Sequence, residues 1–258
     1  MKILLIILAS LVALYCLFLV CIYIFADSLM FAPPARTYVK TTEHFSFNYG
    51  GKTELTGIFL KAENSKGNIF YCHGNGEDLG MIYPFLDALR KMGYNVFSYD
   101  YAGYGYSNEK PTEKKLYKSA ESAWEYANKN FGFCPENTFL MGYSLGSAVA
   151  MHVSTLAENW QGVVITGGIA KGVLTLLPVN VVPWQILDNA SKVEKLQAPL
   201  LLIHGTKDRI VAPHNAKINY NSAKCKKKLV MMNGFGHNDV FASPKFWEEV
   251  KKFLTNQL

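Results

Sequence analysis

The sequence predicts an α/β protein: a mainly parallel central sheet flanked by helices, with a transmembrane helix at the N-terminus. Three observations predict it. From residue 68 onward, short apolar runs alternate with segments of helical period. The residues able to do chemistry fall in glycine-containing loops just after those runs. Finally, 24 uncharged positions, Ile3 to Ala26, lie between Lys2 and Asp27. Strands alternating with helices build parallel sheets covered on both faces, and ligands gather at the carboxyl ends of such strands.

As a helix, the apolar stretch would be about 36 Å long, enough to cross a hydrocarbon core of roughly 30 Å. A cleaved signal peptide is the rival reading, but its apolar region runs to only about 7 to 15 residues and ends at a small-residue cleavage site. No convincing site is present, and the residues before Cys16 (Leu14, Tyr15) and Cys21 (Leu19, Val20) lack the small side chain that lipoprotein cleavage needs. Residues 1–28 are therefore read as an uncleaved anchor and residues 29–258 as one catalytic domain. Lys2 and the amino terminus, set against Asp27, favour an N-terminus inside and a catalytic domain outside the cytoplasm, although Arg36 and Lys40 dilute that bias.

After the anchor, residues 45–49 and 55–61 read as a hairpin around Gly50 and Gly51. Strands are expected at 68–72, 95–99, 138–141, 162–166, 200–204 and 228–232, and helices at 78–92, 112–130, 145–156, around 215–221, and 244–254. Leu116, Ala120, Ala123 and Ala127 share one helical face. Phe246, Val250, Phe253 and Leu254 share another, on a helix that opens with Ser243 as cap and Pro244 at its first position.

The formal charge of +6 is concentrated in Lys224, Lys226, Lys227 and Lys228, just before an apolar strand. A solvated gatekeeper run explains them more simply than a lipid-headgroup patch, and nothing beyond mild positive charge speaks for nucleic acid. Two of the five cysteines lie in the anchor, leaving Cys72, Cys134 and Cys225, an odd set that makes no disulfide framework. No CxxC or clustered His/Cys spacing points to a metal. With neither a phosphate loop nor a GxGxxG beside the first strand, no cofactor is expected.

Gly142, Tyr143, Ser144, Leu145 and Gly146 stand between an apolar run and a helix, the strand–turn–helix context of a nucleophile elbow. A serine hydroxyl is a weak nucleophile, so a base must stand beside it and donors must surround the developing oxyanion. His237 follows the 228–232 strand and Asp208 the 200–204 strand, each in a glycine-containing loop. His237 would carry the proton and Asp208 would fix the imidazole tautomer. Singly, each is an ordinary turn or solvated-loop residue; jointly, three such residues at three strand ends point to a triad. Asp239 and Asp188 are the reserve acids, the first too near His237 in sequence and the second ahead of the wrong strand. Upstream, His73, Gly74 and Asn75 end another strand. The backbone N–H groups of Asn75 and Leu145 are the expected oxyanion donors, with His73 holding the loop.

Through His73 to Asn75, Asp100 to Ser107, Gly142 to Gly146, His204 to Asp208 and Gly236 to His237, the chain resembles the α/β-hydrolase superfamily. Within it, the chain is similar to the single-pass, small-cap group that includes BEM46 and the α/β-hydrolase domain-containing proteins 13 and 17. Relatives usually carry Arg where this chain has Ala102, so the salt bridge such an Arg would make is absent; the loop is read as structural. Capped relatives insert a large lid where only 33 residues separate Thr166 from Leu200 here, which implies a minimal cap and an open pocket. That connection is strongly apolar, with Leu177 and Trp184 among its residues. It is either an acyl-binding wall beside the membrane or a helix packed on the core; periodicity does not separate the two. Tyr143, Leu177 and Trp184 are the candidate substrate contacts.

The resemblance and the constellation together imply a membrane-anchored serine hydrolase that cleaves carboxylic esters or thioesters of lipid-like or acylated substrates through an acyl-enzyme. A serine peptidase of the prolyl-oligopeptidase-like class is the alternative, weakened by the absence of a propeller and by the poorer amide leaving group. A non-catalytic hydrolase-fold binding protein is a third, which Ser144, Asp208 and His237 argue against. Asp-nucleophile chemistry is disfavoured because the elbow carries Ser.

Overall fold

The structure, a computed structural model, describes residues 1–51, 53–172 and 182–255. It opens with a 29-residue helix α1 (Lys2–Met30), about 43 Å long. Most of its apolar side chains are exposed, and only Ala26 and Met30 near its end are buried. By length and composition it can cross a membrane.

Strands β1 (His44–Tyr49) and β2 (Thr53–Leu60) form the antiparallel hairpin, which turns through Gly50 and Gly51 at φ 61° and 91°, a region that favours glycine. The remaining strands are β3 (Asn68–Cys72), β4 (Asn95–Tyr99), β5 (Thr138–Tyr143), β6 (Gly162–Thr166), β7 (Leu200–Gly205) and β8 (Lys227–Met232). All lie in one sheet of order β1-β2-β4-β3-β5-β6-β7-β8, antiparallel through β2 and β4 and parallel from β4 to β8. Every residue of β3, β5, β6 and β7 is buried, the pattern of strands covered on both faces.

Helices α2 (Leu79–Lys91) and α7 (Pro244–Leu254) cover one face through Leu79, Ile82, Leu86, Phe246 and Val250. The other face carries α3 (Glu113–Phe131), α4 (Leu145–Val153) and α5 (Asn189–Lys195), through Leu116, Ala120, Ala123, Val149 and Val193. Helix α6 (His214–Ser222) packs beside α5. Side chains cap the starts: Asp78 accepts from the Met81 N–H and Thr112 from the Lys115 N–H, satisfying donors the helix leaves free.

The differences from the sequence reading are local. Helix α5 carries no sequence signal: seven residues make fewer than two turns, too short for an apolar period to be read. Strand β5 runs on to Tyr143 because Tyr143 still pairs with Thr166 of β6. Three of the four clustered lysines are engaged at the surface: Lys224 with Glu194, Lys228 with Glu249, and Lys227 with the carbonyls of Tyr220 and Ala223. That is the solvated, satisfied edge the gatekeeper reading implies.

Candidate active site

Strand β5 ends and α4 begins within one residue, Ser144, which is held at φ 51°, ψ −116°, a strained geometry for a side chain with a Cβ. The flanking glycines allow it. A Cβ on Gly142 would meet the Gly146 carbonyl oxygen at 2.3 Å, and one on Gly146 would meet that of Cys72 at 2.0 Å. The Ser144 N–H donates to the Thr166 carbonyl at 3.0 Å, and the Ser147 hydroxyl donates to the Ser144 carbonyl at 2.5 Å. Ser147 Oγ also accepts from the N–H of Ile169 and lies 3.3 Å from Asn189 Nδ2, so one buried hydroxyl ties the elbow to the loop after β6 and to α5.

His237 Nε2 lies 2.9 Å from Ser144 Oγ, and its Nδ1 lies 2.6 Å from Asp208 Oδ2. The loops carrying the two residues meet closely: a Cβ on Gly205 would strike the Gly236 carbonyl oxygen at 2.2 Å, and the Lys207 N–H donates to the Phe235 carbonyl. Asp208 Oδ1 accepts from the N–H groups of Ile210 and Val211 at 2.9 and 2.8 Å. His204 Nε2 lies 3.1 Å from Asp208 Oδ2 and 2.8 Å from the Val211 carbonyl, and its Nδ1 has no partner among the described residues, the pattern of an imidazole protonated at Nε2. Burial would raise the Asp208 carboxyl, but donation from His204, His237 and Val211 outweighs it and holds the group well below the usual carboxylate range. Asp208 is therefore an anion at any pH at which the imidazole works.

Opposite the serine, Asn75 is clamped by the end of α1. Its Nδ2 donates to the Met30 carbonyl at 2.7 Å, and its Oδ1 accepts from the Ala32 N–H at 3.0 Å and the Tyr104 hydroxyl at 2.6 Å. The backbone N–H groups of Asn75 and Leu145 donate to no protein acceptor among the described residues. His73 is fully buried; burial pushes its pKa down to about 4 and keeps the ring neutral. Its Nδ1–H donates to the Gly74 carbonyl, and the His73 carbonyl accepts from the Tyr101 hydroxyl, so His73 braces the loop. Ala102 is buried, and Gly105 is mandatory because a Cβ there would overlap Asp100 Oδ2 at 1.8 Å.

Two openings flank Ser144. One, of about 190 Å³, is walled by Leu29, Met30, Leu145, Ile169, Ile210 and Val211. The other, of about 480 Å³, is lined by Glu77, Tyr143, His237 and Asn238 together with Met81, Ile210 and Phe241.

The sequence is 31% identical to human alpha/beta hydrolase domain-containing protein 17B over 198 residues, covering 76% of this chain and 68% of that protein. The chain belongs to the α/β-hydrolase family. Residues 63–190 also match the family described as serine aminopeptidase, S33. Among solved structures, an esterase of Pyrococcus furiosus superposes with a TM-score of 0.73 at 18% identity, covering 87% of this chain and 99% of that one. An acylaminoacyl peptidase of Pyrococcus horikoshii superposes with a TM-score of 0.62 at 15% identity, over 83% of this chain and 40% of that one. These two likenesses show the fold. Sequence and fold together make the protein an α/β-hydrolase of the serine-hydrolase type.

Within this hydrolase, one of the expected substrate contacts falls elsewhere. Trp184 lines neither opening at Ser144; it packs edge-on against Tyr23 of α1, with ring centroids 6.0 Å apart, because the chain after residue 181 returns along the anchor helix. Leu177 lies outside the described residues. Tyr143 does line the larger opening, its ring 5.1 Å from that of His237 and its hydroxyl 2.5 Å from Asn238 Oδ1. Asp188 caps α5 and Asp239 accepts from the Gly236 N–H, so neither reserve acid contacts the imidazole. Sequence reasoning missed Ser147, Asn189 and the second role of His204, as well as Leu29 and Met30 as cavity walls. Only the placement of His204 four residues before Asp208 at a strand end signalled any of these. Among the described residues, no three His, Cys, Asp or Glu side chains gather as a metal site.

Proposed function

We propose that Ser144, His237 and Asp208 cleave carboxylic esters or thioesters of lipid-like or acylated substrates at a membrane surface. Residues 1–28 would serve as the anchor and 29–258 as the catalytic domain. The observation that carries this reading is the relay itself: 2.9 Å from serine to imidazole and 2.6 Å from imidazole to a carboxylate held anionic by further donors. His237 Nε2 takes the proton as Ser144 Oγ attacks the acyl carbon. The oxyanion then accepts from the N–H groups of Asn75 and Leu145, each worth about 3 kcal/mol of barrier. Collapse expels the leaving group, which receives the proton from His237; water, activated the same way, frees the acyl group and restores the serine.

The preference for apolar acyl groups rests on Leu29 and Met30. The last turn of α1 walls the opening beside Ser144, so an acyl chain reaching the serine stays in apolar contact with the segment that leaves the membrane. A long helix with its apolar side chains exposed loses a large hydrophobic free energy in water and regains it in a bilayer. Lys2 against Asp27 favours the orientation with the catalytic domain outside the cytoplasm.

The test is hydrolysis of long- and short-chain thioesters and esters, with matched amides, by the full chain in detergent micelles. Wild type should favour long acyl chains and esters over amides, and Ser144→Ala should lower kcat about 10³-fold or more. Equal turnover by Ser144→Ala rejects the reading, and faster amide cleavage transfers it to a peptidase.

A further inference from the structure

Of the two openings at Ser144, the larger carries the ionisable side chains Glu77, Tyr143 and His237, and the reaction itself dictates which part of the substrate each receives. The general acid must reach the departing atom, so the leaving group lies on the side that His237 lines. That side is the larger opening, with Gly76, Glu77, Met81, Tyr143, Asn238 and Phe241 around His237. Besides the imidazole and the Tyr143 hydroxyl, the ionisable side chain lining this opening is Glu77.

Glu77 forms no ion pair with a Lys or Arg among the described residues. Its Oε2 accepts from the Gly74 N–H at 2.6 Å, which orients the carboxyl at the mouth of the oxyanion loop. Glu77 is one of the residues that line the opening. Burial raises its pKa, offset in part by the Gly74 N–H bond and by the charge of His237 when that ring holds the proton. A cation placed in this opening would supply that missing partner and would be held on the departing side of the scissile bond.

We propose that Glu77 is a specificity-determining residue that selects substrates whose leaving group carries a cation, an ammonium or guanidinium a few ångströms beyond the scissile oxygen or sulfur. The complete substrate is then an apolar acyl chain seated against Leu29, Met30 and Ile169, joined through an ester or thioester to a positively charged alcohol or thiol. This deepens the serine-hydrolase reading and rests on it. No bond to Glu77 is made or broken; the carboxylate acts by charge alone, before and during expulsion of the leaving group.

The experiment compares two thioesters with the same acyl chain. One leaves as thiocholine and the other as its uncharged isostere, in which carbon replaces the ammonium nitrogen. Wild type should show a kcat/KM ratio, charged over uncharged, of about tenfold, the size of one partly screened ion pair. The ratio should shrink as salt rises. Glu77→Gln keeps an acceptor for the Gly74 N–H and removes the charge, so its ratio should fall toward one. Met81→Glu, on the rim of the same opening, adds a second carboxylate without touching that bond and should raise the ratio several-fold. A wild-type ratio near one, a ratio unchanged by Glu77→Gln, or no response to Met81→Glu overturns the assignment while leaving the serine reading intact. A wild type that cleaves neither thioester any faster than Ser144→Ala overturns both.

Discussion

Replacing Gly146 by Ala tests how the elbow is built. The added methyl carbon would sit 2.0 Å from the Cys72 carbonyl oxygen, 2.5 Å from its carbon and 2.6 Å from the His73 carbonyl oxygen. Carbon and oxygen do not approach closer than about 3.2 Å without repulsion, so the two backbones must separate by roughly 1 Å. No rotamer relieves this, because all three atoms belong to the backbone leaving β3. Two consequences follow. Over-packing of this kind costs about 1 to 3 kcal/mol, and the better helix propensity of Ala returns less than about 1 kcal/mol of it. The separation also spreads the proposed oxyanion donors, since Leu145 moves with α4 and Asn75 with the end of β3. Losing one donor costs about 3 kcal/mol, or roughly 10²-fold in kcat. Urea unfolding of the full chain in micelles, paired with kcat on the folded fraction, measures both. A variant with the wild-type midpoint and a kcat within about twofold of wild type would refute the close strand–helix approach on which the site depends.

Other outcomes follow from single contacts. Tyr104→Phe removes the 2.6 Å bond to Asn75 Oδ1 and leaves the Ala32 and Met30 contacts; kcat should fall several-fold with KM little changed, at a stability cost of about 1 kcal/mol. His204→Leu takes a donor from Asp208, and kcat should drop about tenfold. Because the Asp208 pKa is depressed in the fold, its stabilising contribution is present above the ordinary carboxylate range and is lost as pH falls through that range and below. The stability deficit of His204→Leu, read by denaturant titration at several pH values, should therefore narrow in acid. Asp100 behaves oppositely, since burial raises its pKa from 3.8 to about 7. Its contribution is full below the unfolded value and lost as pH rises through about 7. Relative to wild type, Asp100→Asn should accordingly gain a few kcal/mol between pH ~4 and ~8, each tenfold difference in proton affinity between folded and unfolded chain being worth about 1.4 kcal/mol. A flat difference over that range would contradict a buried acid at this position.

Much of the sheet was legible because its signals are local. Residues 68–72, 95–99 and 162–166 are short apolar runs closed by turn formers, and the strands there begin and end as expected. What differed was decided by partners: β5 is prolonged by Thr166, and α5, which the sequence did not signal, is held by Asn189 in the buried network at Ser147. The candidate nucleophile, base and acid were visible because each follows a strand in a glycine loop, a geometry that leaves its mark within a few residues. What surrounds them was not. Asn75 meets Met30 across 45 positions, and Glu77 acquires its orientation only once β3 and α2 are placed. The same limit explains Trp184. Its apolar character was plain in the sequence, but whether it faced the serine or the anchor helix depended on the path of the returning chain.

The most direct measurement is mass-spectrometric mapping of the residue modified by a fluorophosphonate probe on the folded full chain. The account predicts phosphonylation at Ser144, abolished in Ser144→Ala and strongly slowed in His237→Ala and Asp208→Asn. Modification at another residue, or wild-type labelling rates in His237→Ala, would contradict it.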